Sequence, residues 1–104
     1  MVAHLEKFIQ SEIKEWLDNH GYLVWRNFNI PTRGRGNLVA RGLPDLFFMR
    51  GGVLCGVEVK TKDGKLSEHQ IAWGDKLVMH GGHYFVVTSL KELLDCIDTN
   101  FGSL

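Results

Sequence analysis

Apolar residues recur at helical spacing near the start of the chain. In residues 4–20, "HLEKFIQSEIKEWLDNH", large apolar side chains return every three or four positions, and Gly21 follows. They are Leu5, Phe8, Ile9, Ile13, Trp16 and Leu17. Such spacing places them on one face of a helix, and a glycine just after the last turn is typical of a C-cap. We therefore predict an amphipathic helix over residues 4–20.

Alternating and β-branched patterns predict strands in the middle of the chain. Residues 22–28, "YLVWRNF", have strand composition. Residues 45–50, "DLFFMR", and 53–60, "VLCGVEVK", flank Gly51–Gly52, which suits a two-residue hairpin turn with positive φ. The segment between, residues 29–44, carries two prolines and three glycines and is predicted to be a long loop.

Capping signals mark two further helices. A polar turn, "TKDGKL" (61–66), precedes Ser67, and Ser67 with Gln70 has the spacing of a capping box. This predicts a helix from Ser67 to about residue 79, ended by the glycines at 81 and 82. A strand at 83–88, "HYFVVT", follows. Ser89 and Glu92 repeat the capping pattern before the last helix, "LKELLDCI" (90–97).

The predicted order is α-β-β-β-α-β-α, an α/β fold with a mixed β-sheet flanked by helices. At 104 residues, the whole chain, 1–104, is predicted to form one domain. Hydrophobic content of 44% and charged content of 23% are ordinary for a soluble globular protein. No apolar run approaches the roughly 20 residues of a membrane span, and the first residues do not have the pattern of a signal peptide.

Cysteine use and charge distribution add two expectations. Cys55 and Cys96 lie in apolar patterns, as expected for reduced, buried thiols in a cytoplasmic protein. The net charge is zero, but no acidic residue occurs between Asp18 and Asp45. Four arginines lie in that interval: Arg26, Arg33, Arg35 and Arg41. A neutral total therefore conceals a basic segment.

The hairpin register places two carboxylates together. If Gly51–Gly52 is the turn, Arg50 pairs with Val53, and Asp45 then lies directly opposite Glu58. Directly opposed residues share a face of the sheet, and like charges placed so destabilise it unless something binds between them. Lys60 is two residues after Glu58, so it faces the same way.

Two neighbouring carboxylates are hard oxygen ligands of the kind that Mg²⁺ or Mn²⁺ takes. A nearby lysine can orient a water or stabilise phosphate charge. Asp45, Glu58 and Lys60 together favour metal-assisted phosphodiester hydrolysis. The alternative, equally open at this point, is that Lys60 neutralises one carboxylate on an exposed face.

These residues resemble a known pattern. "PD" at 44–45 with "EVK" at 58–60 resembles the PD-(D/E)xK nuclease superfamily. The wider stretches "RGLPDLFF", "GVEVKTKDGKLSEHQ" and "HGGHYFVVTSLKEL" are similar to the VRR-NUC family, the virus-type replication-repair nucleases. The resemblance covers about residues 5 to 98.

The resemblance implies a restriction-endonuclease-like core, a divalent metal and cleavage of DNA. It implies that Asp45 and Glu58 bind the metal, with the backbone carbonyl of Val59 as a third ligand, and that Lys60 is the catalytic lysine. Members of this size resemble stand-alone phage proteins, for which the family implies a homodimer that cuts branched DNA such as Holliday junctions. A phage protein of this kind would work in the cytoplasm of the host cell.

The family also implies a catalytic glutamate on the first helix and a role for Gln70. The family pattern E-x-x-I-Q favours Glu6, whereas Glu12 falls within the broad apolar arc of the helix and stays open. Gln70 either belongs to the capping box or lies beside the catalytic lysine, where it would contact DNA or water, and both can hold together.

The basic loop is the candidate for contact with DNA. It lacks the Walker pattern G-x-x-x-x-G-K-[ST], so a nucleotide cofactor is not expected. Arginine on a loop beside a metal site suits phosphate contact. The candidates are Arg33, Arg35, Arg41, Lys62 and Lys65. The alternatives are a merely solvated loop and, for the whole protein, a DNA-binding or replication and repair accessory module without catalysis.

Overall fold

The structure, a computed structural model, describes residues 2–27 and 41–102, with three helices and four strands in that part of the chain. The elements are α1 (Val2–Asn19), β1 (Leu23–Arg26), β2 (Leu46–Arg50), β3 (Val53–Val59), α2 (Glu68–Met79), β4 (His83–Val87) and α3 (Leu90–Phe101). The predicted α/β class and the order α-β-β-β-α-β-α are confirmed.

Some element ends differ from the predicted ones. α1 begins at Val2, before the predicted start at residue 4. The last helix continues beyond residue 97 to Phe101, because Phe101 follows Leu93 and Ile97 at four-residue spacing and packs against the same core. The first strand is shorter than predicted and ends at Arg26. Most of the predicted loop lies outside the described residues.

The four strands form one mixed sheet in the order β1-β2-β3-β4. β2 runs antiparallel to both β1 and β3, whereas β3 and β4 are parallel. The parallel pair requires a crossover, which α2 provides between them. β3 therefore lies in the interior of the sheet, with a partner on each side.

One face of the sheet carries the main core. α1 and α3 cover this face, and buried apolar side chains from both helices meet those of the strands. The core consists of Ile9, Ile13, Leu17, Leu46, Phe48, Cys55, Val57, Val59, Phe85, Val87, Leu93 and Ile97. On β2 and β3 every second residue points into it, which is the period of a strand. Full burial of one such side chain stabilises the fold by about 1.5–3 kcal/mol.

The opposite face is covered only in part, by α2. Phe47 and Leu77 are buried there, and the Phe47 and Trp73 ring centroids lie 5.5 Å apart. Gly56 lets Pro44 and Leu77 pack closely against β3, since an added Cβ would lie 2.9 Å from Pro44 Cγ and 3.1 Å from Leu77 Cδ2. Towards the edges this face stays open, and Leu23 keeps 66% of its surface exposed.

The predicted turn and caps are present in the structure. Gly51 and Gly52 have φ of 56° and 83°, the positive values that a type I′ hairpin turn requires. Ser67 and Gln70 form the full capping box at the start of α2. At α3, Ser89 accepts a hydrogen bond from the Glu92 amide, but the Glu92 carboxylate accepts from the Thr88 amide instead of that of Ser89.

Two expectations about the environment have partial answers. Cys55 is buried and Cys96 is half-buried, and both are free thiols. Burial raises the pKa of Cys55 to about 11, so it stays protonated. None of the helices in the described part of the chain is long and apolar enough to cross a bilayer.

Candidate active site

The hairpin places Asp45 opposite Glu58, as its turn predicts. The observed pairs run from Arg50 with Val53 to Leu46 with Val57, and the next pair along the hairpin is Asp45 with Glu58. Both side chains lie on the sheet face that α2 covers. The register is confirmed, and with it the opposition of two carboxylates.

Among the residues that the structure describes, Glu58 is the one buried charged side chain, with 3% of its surface exposed. Its Oε2 accepts a hydrogen bond of 3.0 Å from Gln70 Nε2, and the Lys60 Nζ lies 3.9 Å from the same oxygen. Its Oε1 is buried without a hydrogen-bond partner in the described part of the chain. Leaving such an oxygen unpaired costs free energy, and a cation or a water bound at Glu58 Oε1 would remove that cost.

Asp45 is held by the backbone on both sides. Its Oδ2 accepts a 2.8 Å hydrogen bond from the amide of Val59, the residue between Glu58 and Lys60. Its own carbonyl accepts from the Asn27 amide at 2.9 Å, and the Asn27 side chain donates to the Pro44 carbonyl at 2.8 Å. Sequence reasoning does not single out Asn27. Its contacts span 17 positions, and no local motif announces them.

The electrostatics of the pair follow from this burial. Desolvation, and then the charge of Asp45, raise the pKa of Glu58 to about 8. Desolvation also raises the pKa of Asp45, against the Val59 hydrogen bond, which lowers it. The Lys60 charge lowers both pKa values, but it does not offset the burial. Two carboxylates in this position either share a proton or need a cation beside them.

The donor set of the pair fits a small hard cation with several waters. Within residues 2–27 and 41–102, no group of three or more His, Cys, Asp or Glu side chains has the geometry of a metal site. Mg²⁺ is commonly bound through one or two protein carboxylates with waters completing its shell. Asp45, Glu58 and the unpaired Glu58 Oε1 meet that requirement.

The fold matches that of a known nuclease domain. A solved structure described as "VRR_NUC domain" is similar, with a TM-score of 0.66 and 29% sequence identity over 93% of this chain and 97% of that chain. This chain is therefore similar to a VRR-NUC domain over nearly its whole length. No family model and no curated protein matches the sequence. The predicted restriction-endonuclease-like core is thus confirmed, and the solved structure supports the predicted resemblance to the VRR-NUC family.

On the first helix, Glu6 and not Glu12 lies beside the carboxylate pair. Glu6 Oε2 accepts a hydrogen bond of 3.3 Å from the amide of Thr61, just after Lys60, and its charge raises the pKa of Asp45 and Glu58. Glu12 is exposed and lines an outer groove with Phe8 and Trp16.

The rotation of α1 explains this choice. Ile9, Ile13 and Leu17 are buried, whereas Leu5 and Phe8 are 51% and 65% exposed. The buried stripe is therefore narrower than the apolar arc of the sequence. Glu6 lies on the same side of α1 as this stripe, one turn before Ile9, whereas Glu12 lies on a different side.

Gln70 forms the predicted capping box and also contacts the carboxylate pair. Its Oε1 accepts from the Ser67 amide at 2.8 Å, and its own amide donates to Ser67 Oγ at 3.2 Å. Its Nε2 remains free for Glu58. One side chain thus caps the N-terminus of α2 and holds the Glu58 carboxylate, so the start of α2 is tied to the site.

The predicted DNA-contacting residues divide into two groups. Arg33 and Arg35 lie outside the described residues. Arg41, Lys62 and Lys65 are exposed, and Arg41 Nη1 lies 3.4 Å from His69 Nε2. The fourth arginine of the basic segment, Arg26, makes a hydrogen bond within the fold, since it donates to Gln10 Oε1 at 2.7 Å.

Gly42 joins the end of the basic segment to α2. It has φ of 83°, and a Cβ there would lie 2.1 Å from the His69 carbonyl oxygen. Only glycine fits this approach. The contact holds Arg41 close to the first turn of α2, on the side of the molecule where Gln70 meets Glu58.

Proposed function

We propose that this protein is a Mg²⁺- or Mn²⁺-dependent DNA endonuclease that hydrolyses phosphodiester bonds. The observation that carries the proposal is the opposed pair of half-buried Asp45 and buried Glu58 on the α2 face, with Glu58 Oε1 unpaired in the described part of the chain. The similarity to a VRR-NUC domain supports nuclease chemistry, and the carboxylate pair supports the metal.

The carboxylates of Asp45 and Glu58 would hold the ion, with the carbonyl of Val59 as a third ligand. The ion supplies Lewis-acid activation of water and neutralises phosphate charge. The Val59 amide already orients Asp45 from the same peptide segment. Gln70 orients Glu58 through Oε2, as outer-shell partners of metal ligands commonly do.

Lys60 would act on the reacting groups. Its ammonium group is 3.9 Å from Glu58 Oε2, and 19% of the side chain remains exposed, so it borders both the pair and the solvent. From there it can orient the attacking water or stabilise charge on the scissile phosphate. Glu6, next to Thr61, is placed to take part in orienting that water.

The substrate we propose is branched DNA, such as a Holliday junction, cut by a homodimer. One chain carries one such site, and symmetrical cutting of two strands needs two sites, which a two-fold dimer provides. Leu23 and Trp25, exposed on the edge strand β1, are candidates for its surface. Light scattering should give a dimer alone or with junction DNA, and a monomer under both conditions would contradict this part.

The deciding experiment compares wild type with Lys60→Ala on four-way, flap, duplex and single-stranded DNA. Each substrate is incubated with Mn²⁺, with Mg²⁺ or with chelator. We expect wild type to cut in a metal-dependent way with preference for the four-way junction. Lys60→Ala should lose about 10²–10³-fold in rate, as when one charge-stabilising donor is removed, while binding DNA.

Lys76→Ala is the matched control, because Lys76 is an exposed lysine in the last turn of α2. It should cut like wild type. If wild type binds branched DNA but does not cut it with either metal, the protein is an accessory module, the alternative function.

Salt dependence tests the proposed phosphate contacts. Removing one side chain that neutralises a phosphate should flatten the log–log slope of duplex binding against salt by about 0.9. Lys62→Ala with Lys65→Ala, and separately Arg41→Ala, are therefore expected to reduce the slope. A slope equal to that of wild type removes the altered residue from the DNA interface.

A further inference from the structure

Tyr84 on β4 lies on the same side of the sheet as the carboxylate pair. In the parallel register Tyr84 is paired with Gly56, and the next residue on this face of β3 is Glu58. Gly56 has no side chain to separate them. Tyr84 therefore extends along the covered face next to the site.

The ring of Tyr84 occupies a recess in α2. A Cβ at Gly74 would lie 2.5–2.9 Å from three of its ring atoms, so glycine is needed there for the ring to fit. Gly74 is one turn after Gln70 on the same face of the helix. The residue that donates to Glu58 and the residue that receives the Tyr84 ring are thus neighbours under α2.

The hydroxyl of Tyr84 is buried and has no hydrogen-bond partner in the described part of the chain. Burial first, and then the charges of Glu58 and Asp45, raise its pKa, so both carboxylates act on this oxygen. The other buried side-chain atom without a partner in this part of the chain is Glu58 Oε1. A neutral hydroxyl is a donor and a carboxyl oxygen an acceptor.

We propose that Tyr84 is a positioning residue whose hydroxyl donates a hydrogen bond, through one bridging water, to Oε1 of Glu58. Gln70 would then hold one oxygen of the carboxylate and Tyr84 the other. The carboxylate plane is fixed from two sides, and each oxygen keeps a second lone pair for a ligand. The effect on metal binding rests on the proposed function, whereas the hydrogen bond itself does not.

The competing explanation is that Tyr84 only fills the recess at Gly74. The two are separated by Tyr84→Phe, which keeps the ring and removes the hydroxyl. A hydroxyl that bonds nothing costs stability by its burial, so its removal would then raise the melting temperature. A hydroxyl bonded to Glu58 stabilises the fold, and its removal lowers the melting temperature.

The first measurement is a double-mutant cycle on melting temperature in chelator, with wild type, Tyr84→Phe, Glu58→Ala and the double variant. We expect Tyr84→Phe to lower the melting temperature by about 4–8 °C, the shift typical of a 1 kcal/mol loss in a small domain, and to have no such effect when Glu58 is alanine. An equal shift in both backgrounds, or a rise in the wild-type background, would overturn the hydrogen bond.

The second measurement is Mn²⁺ affinity by calorimetry without DNA. Tyr84→Phe should bind Mn²⁺ about 10–100-fold more weakly than wild type, the usual effect of losing an outer partner of a metal ligand. Tyr22→Phe is the control, because its hydroxyl contacts Arg50 at 3.1 Å, away from the pair, and its affinity should equal that of wild type.

An unchanged affinity in Tyr84→Phe would overturn the positioning role. If wild type binds no Mn²⁺ while the thermal cycle still shows coupling between Tyr84 and Glu58, the proposed metal-dependent function fails and the hydrogen bond stands.

Discussion

The two faces of the sheet are built for different purposes. The face under α1 and α3 is a continuous apolar core, with Phe48, Val57 and Leu93 fully buried. The face under α2 holds Asp45 and Glu58. It also holds the two buried polar atoms that have no partner in the described part of the chain, Glu58 Oε1 and the Tyr84 hydroxyl oxygen. Gly56 and Gly74 allow their neighbours to approach closely there. Burial of apolar surface is the dominant stabilising term, so the first face carries the fold. The second carries the proposed active site, at a cost in stability.

The largest effect should come from the core face. Phe48→Ala removes a fully buried ring that meets Tyr22 edge-on and lies 6.4 Å from the Phe85 ring. We expect a loss of about 3–5 kcal/mol in the free energy of unfolding. Trp25→Ala is the control on the opposite side, since Trp25 is already 38% exposed. Equal losses in denaturant unfolding of the two variants would contradict the division between faces.

Next in size is the loss of function on the α2 face. Asp45→Asn removes one charge of the pair and should reduce metal-dependent cleavage at least about 100-fold, or about 2.7 kcal/mol. The same variant should melt no lower than wild type in chelator, because Glu58 loses its like-charged neighbour. A parallel fall in melting temperature and activity would mean that Asp45 serves the fold.

The cost of the buried pair should depend on pH. The pKa of Glu58 rises from its usual 4.5 to about 8, so the folded state binds a proton that the unfolded state releases. Stability in chelator is therefore highest below pH 4.5 as far as this group is concerned, and it falls as pH rises through 8. Glu58→Gln should remove this part of the slope and be more stable than wild type at pH 8 by about 1–3 kcal/mol.

That difference is measured by urea unfolding at pH 5, 6.5 and 8 in chelator. If the free energy of unfolding depends on pH equally in wild type and in Glu58→Gln, burial of the Glu58 carboxylate does not lower the stability of the fold.

The smallest expected effect comes from two helix-cap variants of equal stability, one on each face of the sheet. Ser67 and Ser89 cap α2 and α3, respectively, and replacing either by alanine should cost about 1 kcal/mol. Ser67→Ala also removes the acceptor of the Gln70 backbone amide. Because the Gln70 side chain donates to Glu58, the loosened first turn of α2 should slow cleavage as well. Ser89→Ala should be destabilised equally but cut like wild type at low temperature. If both lose activity in proportion to stability, the Ser67–Gln70 link has no role in the site.

Features set by neighbouring residues could be predicted from the sequence. The Gly51–Gly52 turn and the alternation of β2 and β3 fix the register, and the register alone brings Asp45 to Glu58. The capping box at Ser67 is equally local. Each depends on two to four adjacent positions, for which turn chemistry and strand period are strong guides.

Features that join distant segments could not be predicted from those rules. Glu6 reaches the amide of Thr61 across 55 positions, and only the packed rotation of α1 separates it from Glu12. The clamp of Asn27 on Pro44 and the seat of Tyr84 at Gly74 depend on how whole elements lie against one another. The spacing of residues along the chain does not predict these contacts.

The interior position of β3 has a consequence for motion. Its residues are hydrogen-bonded to β2 on one side and to β4 on the other, so Glu58 cannot leave its place by fraying at a sheet edge. Local opening of a protein draws on segments with few buried contacts, and one of these is the exposed turn that carries Lys62 and Lys65. The proposed DNA-contacting turn can thus adjust its shape, while the carboxylate pair keeps its position for as long as the protein stays folded.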